Sequence, residues 1–185
     1  MVRVFALGHS TRPVEKFVLM LRAHSIHMLV DIRTVPKSRH NPQFDGDALR
    51  ATLREAGIRY VQMKDLGGLR RPVKGSLTNA GWVNDSFRGF ADYMQTPRFA
   101  AAVGKLVRLA RGAGGNEWSN VAIMCAEGNP FRCHRSLVAD ALEARRVRVV
   151  HISGAGEGRP HKVTRFAKVV GTRVTYPRGA EAGGA

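Results

Sequence analysis

Apolar segments of strand length alternate along this chain with amphipathic segments of helix length, and no other feature constrains the fold as strongly. Five apolar segments predict strands, at residues 3–7, 28–32, 59–63, 121–124 and 147–152. Apolar residues at helical spacing predict helices between them, with caps at Thr11 and Thr96, and the last helix spans 130–145. Repeated βα units form parallel sheets covered on both faces. The sequence therefore predicts an α/β fold: a Rossmann-like, doubly wound, three-layer domain with a mainly parallel sheet of about five strands.

The length of 185 residues fits one hydrophobic core. We expect residues 1–152 to form the Rossmann-like domain. The basic, Gly-interrupted segment 153–178 is then a C-terminal extension packed on it, and 179–185 a disordered tail. No segment has the length and apolarity of a signal peptide core or a membrane span, which predicts a cytoplasmic protein without a membrane partner.

The charge of the chain is strongly one-sided. Lys and Arg number 30 against 14 Asp and Glu, giving a formal net charge of +16. Such an excess attracts polyanions, so the predicted partner is nucleic acid or a phosphorylated small molecule. The two cysteines, Cys125 and Cys133, are too few for a disulfide scaffold and are expected to be free thiols, although their spacing also permits pairing.

The polar loops that follow the strands predict where chemistry occurs. Ligands of doubly wound sheets bind at the carboxyl ends of the strands, and a strand order of 3-2-1-4-5 puts the crevice between strands one and four. The candidates for proton transfer are His9, Asp31 and Glu127, and Cys125 is the candidate nucleophile. The candidates for phosphate binding are Ser10, Thr11, Arg12, Arg33, Arg132, His134 and Arg135.

Cys125 ends a strand and leads through a Gly-containing loop into a helix. Free N–H groups at a helix N-terminus lower a thiol pKa and bind anions, as in protein tyrosine phosphatases and rhodaneses. Arg132 follows Cys125 after six residues, one more than the phosphatase spacing. The alternative is a small buried residue at a strand end. Asp31 likewise has two interpretations: it contacts a ribose or orients His9, or it is a carboxylate paired with Arg33.

The sequence indicates no bound cofactor. It has no Gly-x-Gly-x-x-Gly after the first strand and no Walker loop, which disfavours a dinucleotide or NTP. A zinc site from Cys125, Cys133, His134 and His9 is conceivable, but the spacing matches no familiar finger, and we predict no metal. Two basic loops, 33–44 and 64–84, are typical of phosphate-backbone contacts or of a solvated surface; the second contains Arg70, Arg71, Lys74 and Trp82.

Several motifs in order resemble one known family. They are Gly8-His9-Ser10-Thr11, Val30-Asp31-Ile32-Arg33, Asn41-Pro42-Gln43-Phe44, Leu66-Gly67-Gly68, Phe87-Arg88-Gly89-Phe90-Ala91-Asp92-Tyr93-Met94, Met124-Cys125-Ala126-Glu127 and Cys133-His134-Arg135-Ser136, with Thr164-Arg165-Phe166-Ala167 and Val174-Thr175-Tyr176-Pro177 near the end. The chain resembles the domain-of-unknown-function family numbered four hundred and eighty-eight. The resemblance implies a Rossmann-like domain of a bacterial, cytoplasmic protein, with the His9 and Cys125 loops in one signature. The resemblance implies no particular activity, because the family has no agreed one.

Three hypotheses follow from these residues. The first is an enzyme that acts on a phosphate-bearing substrate, nucleic acid or nucleotide, by hydrolysis or group transfer. The second is a non-catalytic nucleic-acid-binding module, whose affinity falls steeply with salt. The third is cysteine-dependent chemistry at Cys125, such as that of a phosphatase, a sulfurtransferase or a redox protein.

Overall fold

The computed structural model describes residues 2–112 and 120–179. Within these residues the predicted α/β fold is confirmed, because a mainly parallel six-stranded sheet lies between two layers of helices. The strands are β1 (Arg3–Gly8), β2 (Met28–Asp31), β3 (Arg59–Gln62), β4 (Val121–Cys125), β5 (Arg148–His151), β6 (Arg159–Pro160), β7 (Lys168–Val170) and β8 (Arg173–Thr175). The helices are α1 (Val14–Ala23), α2 (Gly46–Glu55), α3 (Asp85–Tyr93), α4 (Pro97–Ala110) and α5 (Arg135–Glu143).

The strand order of the main sheet is 3-2-4-1-5-6. The expected order 3-2-1-4-5 is therefore wrong, although β1 and β4 are neighbours as expected. The connection from β1 through α1 to β2 leaves a gap one strand wide, and β4 fills it with parallel pairing on both sides. Consecutive strands are often, but not always, adjacent. As a result β4 is an inner strand, flanked by β1, which is followed by His9, and by β2, which ends at Asp31.

Side-chain alternation along the strands divides the core between the two faces of the sheet. Val4 and Ala6 of β1 pack with α3, α4 and α5, whereas Phe5 and Leu7 pack with α1 and α2. The inner strand β4 is buried along its whole length, as expected for a strand covered by helices on both faces.

Side-chain caps begin α3 and α4, but not the other three helices of the described residues. The Thr96 cap is confirmed, since its Oγ1 accepts a hydrogen bond from Phe99 N–H at 3.3 Å. The Thr11 cap is wrong: α1 begins at Val14 without a side-chain cap. The helix predicted over 130–145 is interrupted, because Pro130–Arg132 forms a 3₁₀ turn and α5 begins only at Arg135.

The segment after β5 contacts the sheet and α5. Strand β6 pairs antiparallel with β5, and β7 and β8 form a separate hairpin. Asp140 of α5 is fully buried and accepts hydrogen bonds from Tyr176 Oη at 2.7 Å and Thr164 N–H at 3.0 Å, and it pairs with His161 at 2.7 Å. The tail predicted over 179–185 lies outside the described residues except for Gly179, and most of the loop expected at 112–115 does too.

Candidate active site

Three loops meet where β1, β2 and β4 end. Gly8 of β1 lies beside Cys125 of β4, and Asp31 of β2 lies beside Met124 on the other side of β4. The backbone of the β1 loop is hydrogen-bonded to that of the β4 loop, from His9 N–H to Cys125 O at 3.0 Å and from Ser10 N–H to Ala126 O at 2.9 Å. Because β4 is central, its loop is held from both sides.

The two cysteines are in contact. Cys125 Sγ lies 2.8 Å from Cys133 Sγ, and both are free thiols, 2% and 6% exposed respectively. Cys125 ends β4, whereas Cys133 lies two residues before α5. The loop between them therefore folds back and places the sulfur of Cys133 against that of Cys125.

Hydrogen bonding and charge favour a thiolate on Cys133. The hydrogen bond from Cys125, with smaller contributions from His134 and Arg135, lowers the pKa of Cys133 to about 4 despite the opposing effect of burial. Burial raises the pKa of Cys125, which therefore keeps its proton and donates it toward Cys133. Arg135 lies against both sulfurs: its Nη1 donates to Cys125 Sγ at 2.7 Å and its backbone N–H to Cys133 Sγ at 3.4 Å. The two sulfurs thus share one negative charge beside a guanidinium.

Arg135 also shapes the loop around the sulfurs. It is 1% exposed and donates to Glu127 O at 2.9 Å and Gly128 O at 3.3 Å, while its Nε is buried without a hydrogen-bond partner. Gly8 permits this arrangement, because a Cβ there would lie 1.9 Å from Glu127 O. The loop can therefore lie directly over the end of β1.

His134 is placed beside Cys133 by a second glycine. Its Nδ1 lies 3.6 Å from Cys133 Sγ, and its Nε2 lies 3.3 Å from Ile32 O. A Cβ at Gly68 would lie 2.4 Å from His134 Nδ1, so the Leu66-Gly67-Gly68 motif leaves space for the imidazole. A ring protonated at both nitrogens donates from Nε2 to Ile32 O and from Nδ1 to the Cys133 thiolate, which is the direction that lowers the pKa of Cys133.

An open cavity of about 590 Å³ lies over the two sulfurs, which form part of its lining. Its basic lining residues are Arg33, Lys37, Arg70, Arg71, Arg132 and His134. Glu127 is the acidic residue in the lining. We call this cavity the basic groove. Its volume falls in the range of small-molecule sites, and its cations favour an anionic ligand.

His9 is buried beside this groove rather than exposed in it. Its ring stacks on Phe44 at 4.3 Å, its Nδ1 lies 2.8 Å from Ser10 O, and its Nε2 lies 3.4 Å from Arg33 Nη1. Burial lowers the pKa of His9, so the ring stays neutral at physiological pH.

Asp31 and Arg33 form a buried ion pair, which confirms the second interpretation of Asp31. The shortest contact joins Arg33 Nη2 and Asp31 Oδ2 at 2.6 Å, and Tyr60 Oη donates to the same oxygen at 2.7 Å. Arg33 Nη2 also donates to Phe44 O at 2.8 Å. This network holds the loop after β2 against the His9 loop.

The remaining candidates are divided between the groove and the loop after β1. Arg132 and Glu127 are exposed residues of its lining, and Glu127 Oε1 accepts from Asn129 N–H at 3.0 Å. Arg12 lies elsewhere: it donates to Gly8 O at 2.6 Å and Ser153 O at 2.9 Å, linking the first loop to the chain after β5. Ser10 and Thr11 lie in the same loop as Arg12, where Ser10 has a φ of 52°.

Cys133 is a residue of this site that was not predicted from the sequence to be a thiolate. The signal was a second cysteine eight residues after the first, followed directly by His134 and Arg135. The contact between His161 and His151, at 2.9 Å, and the pairing of His161 with Asp140 were not predicted either. In the part of the chain that the structure describes, no three His, Cys, Asp or Glu residues form a metal-binding group.

The fold and the site define an α/β protein with a thiol pair in a basic groove. Residues 13–142 match the family described as Domain of unknown function DUF488, and the chain belongs to this family. No curated protein and no solved structure matches the chain. Among the described residues, no helix has the length and apolarity needed to cross a membrane.

Proposed function

We propose that this protein is a cysteine-dependent enzyme that acts on a phosphate-bearing substrate by hydrolysis or group transfer. The observation that carries the proposal is the thiol pair in the lining of the basic groove, with Cys133 as its thiolate. A thiolate is the nucleophilic form of cysteine, and cations next to it favour an anionic substrate. The reacting group we propose is thus Cys133, with Cys125 as the thiol that stabilises it.

The charges of the groove support a phosphate-bearing substrate. The charge of Arg33 is balanced by Asp31, whereas Lys37, Arg71 and Arg132 are exposed cations of the lining. Cations that face an open cavity attract phosphate oxygens and stabilise the charge that develops during phosphoryl transfer. These three residues are the proposed phosphate-binding groups.

The proposed reaction has two steps. The Cys133 thiolate attacks phosphorus, an S–P bond forms, and the bond between phosphorus and the leaving oxygen breaks. Glu127, exposed in the groove, is the side chain that we propose to pass a proton to that oxygen. Water or another acceptor hydroxyl then attacks the phosphocysteine, loses its proton to Glu127 and restores the thiolate.

His9 and Asp31 have positioning roles in this proposal. Both are buried and engaged with Arg33, which joins the loops after β1 and β2 beside the thiol pair. Arg135 holds the β4 loop and balances the sulfur charge, and His134 donates a hydrogen bond from Nδ1 to the Cys133 thiolate. The loop of Ser10, Thr11 and Arg12 keeps the first strand end in place.

The experiment compares two serine variants that differ only in which sulfur is removed. With p-nitrophenyl phosphate as the probe, Cys133→Ser should abolish phosphate release. Cys125→Ser should keep part of it, because a hydroxyl still donates to Cys133. Acid-quenched wild type should carry phosphate on Cys133 by mass spectrometry. Full turnover by Cys133→Ser would refute the mechanism.

A thiol–disulfide redox function is the second candidate, favoured by the 2.8 Å contact between the sulfurs. The Cys133 thiolate would attack oxidised glutathione and release one glutathione thiolate. Cys125, after losing its proton to solvent, would displace the second glutathione, so that two electrons pass to glutathione and a disulfide forms. Full, dithiothreitol-reversible loss of both thiols without any turnover of the phosphate ester would favour this candidate over the first.

A further inference from the structure

Three large apolar side chains are exposed at the basic groove. Val35 and Leu69 belong to its lining and are 55% and 78% exposed. Phe131 is 81% exposed and precedes Arg132, another lining residue. Single exposed apolar residues are common, but here two line a cavity that also contains the thiol pair, and the third is next in sequence to a residue of that lining. The combination of these exposed apolar side chains with cationic residues distinguishes this surface from an ordinary solvated basic surface.

The backbone holds Phe131 outward at this place. It occupies the middle of the 3₁₀ turn Pro130–Arg132, inside the loop that joins the two cysteines. Asn129 fixes the turn, since its Oδ1 accepts from Phe131 N–H at 2.9 Å and its backbone O accepts from Arg132 N–H at 3.2 Å. The aromatic ring therefore extends into solvent from a hydrogen-bonded turn, next to an exposed guanidinium.

Two other loops of the groove lining repeat this combination of apolar and cationic groups. Val35 is followed closely by Lys37, and Leu69 by Arg71. The two loops are joined by the hydrogen bond from Leu69 N–H to Thr34 Oγ1 at 3.4 Å. Exposed apolar side chains and exposed positive charges thus lie close together in sequence in all three loops.

We infer that the basic groove binds single-stranded nucleic acid, with a base stacked on Phe131 and backbone phosphates on Lys37, Arg71 and Arg132. The inference rests on the proposed function, since it names the substrate class of the same site. Aromatic faces next to basic side chains bind single strands, because only unpaired bases expose their faces for stacking. A duplex offers phosphates but no base face to Phe131, and a small phosphate ester leaves the apolar rim unoccupied.

The test measures fluorescence anisotropy of a labelled single-stranded DNA of about twelve nucleotides. The protein is Cys133→Ser, which cannot carry out the proposed reaction and so reports binding alone. We expect it to bind the single strand more tightly than a blunt duplex of the same length. Adding Phe131→Ala should weaken single-strand binding about tenfold or more, and Phe131→Tyr should preserve it.

Matched variants separate stacking from charge. Arg132→Ala should weaken the binding of single strand and duplex alike. It should also reduce the slope of the logarithm of affinity against the logarithm of salt concentration by about one. Two variants outside the groove serve as controls. Arg54→Ala removes an exposed Arg in the last turn of α2, and Val170→Ala shortens an exposed apolar residue of β7. Neither residue lines the groove, so neither variant should change the affinity. Duplex binding as tight as single-strand binding, or an unchanged affinity in Phe131→Ala, overturns the inference.

The two proposals fail in different ways. Turnover of p-nitrophenyl phosphate without oligonucleotide binding would leave the enzyme proposal standing and remove the nucleic acid. Phe131-dependent oligonucleotide binding without any turnover would keep the inference and make the protein a binding module instead of an enzyme. A lack of both would overturn both proposals.

Discussion

At the scale of single residues, the site depends on two glycines that leave space for other groups. Gly8 lets the Glu127 backbone lie on β1, and Gly68 lets His134 lie beside Cys133. Neither glycine needs a left-handed backbone; what each position requires is the absence of a Cβ. This is a requirement for close approach rather than for chain flexibility.

A substitution at Gly68 should raise the pKa of Cys133, although the new side chain would meet His134 and not the sulfur. In Gly68→Ala the new Cβ displaces His134, so Cys133 loses one of the groups that lower its pKa. We expect the midpoint of the pH dependence of Cys133 alkylation by iodoacetamide to rise by about one pH unit. Peptide mass spectrometry of the alkylated protein measures it.

Gly104→Ala is the matched control, because Gly104 lies within α4 and a Cβ there meets only Arg108 Nη1, at 3.7 Å. It should leave the alkylation midpoint unchanged and stabilise the fold by up to about 1 kcal/mol. An unchanged midpoint in Gly68→Ala would mean that His134 does not tune the thiol.

Residue types were predictable at this scale, but their partners were not. The sequence directs attention to Cys125, His9 and Asp31 because they follow strands. It offers the pairing of Asp31 with Arg33 and the approach of Cys133 to Cys125 only as alternatives, without deciding for either. Both contacts depend on the path of a loop, and loop paths follow from tertiary contacts rather than from local propensity.

At the scale of secondary-structure elements, the first five strands were predicted to within two residues at each end because apolar runs mark them directly. The order of these strands in the sheet was not predicted correctly, since periodicity identifies an element without specifying its neighbours. The β1–α1–β2 unit has the same sequence pattern whether or not another strand later enters between its strands. The start of α5 was also misplaced, because Pro130 opens a short turn instead of the helix.

The contact between β5 and the later segment should make stability depend on pH. His151 ends β5, and burial together with the charges of His161 and Arg135 lowers its pKa to about 4, from 6.5 in the unfolded chain; Asp140 opposes this change. Between these values the unfolded chain binds a proton that the folded one does not. Stability is thus retained above pH 6.5 and falls as the pH is lowered toward 4.

Urea unfolding at several pH values, on wild type and His151→Gln, measures this effect. The wild type should lose about 1–2 kcal/mol more than the variant over this interval, since the partly exposed ring keeps some contact with water. Equal losses in the two proteins would show that His151 does not contribute to the acid sensitivity.

At the scale of the whole molecule, the net charge of +16 opposes compaction by self-repulsion. Among the described residues, the one ion pair between partly or fully exposed side chains joins Arg98 and Asp65 at 2.7 Å. Added salt should therefore screen more repulsion than attraction. We propose that residues 1–152 form the domain and that 153–178 are a basic extension packed on it, so both parts contribute to this repulsion.

Raising potassium chloride from about 0.02 M to about 0.3 M should shift the urea midpoint upward. An equal osmolality of glucose provides the control for effects unrelated to charge. Circular dichroism measures the transition in each case. A downward shift with salt would indicate that attractive pairs outweigh the repulsion.

The central position of β4 also determines when the protein can fold. During synthesis, β1 and β2 leave the ribosome long before β4, and neither can pair with the other in the native arrangement. Of the first three strands, only β2 and β3 are native neighbours. Both edges that later enclose β4 stay unpaired until residue 125 has emerged, and such edges promote aggregation. The strand that ends at Cys125 is also the one that joins the β2–β3 pair to β1, so the loop of the thiol pair cannot take its place before these strands are joined.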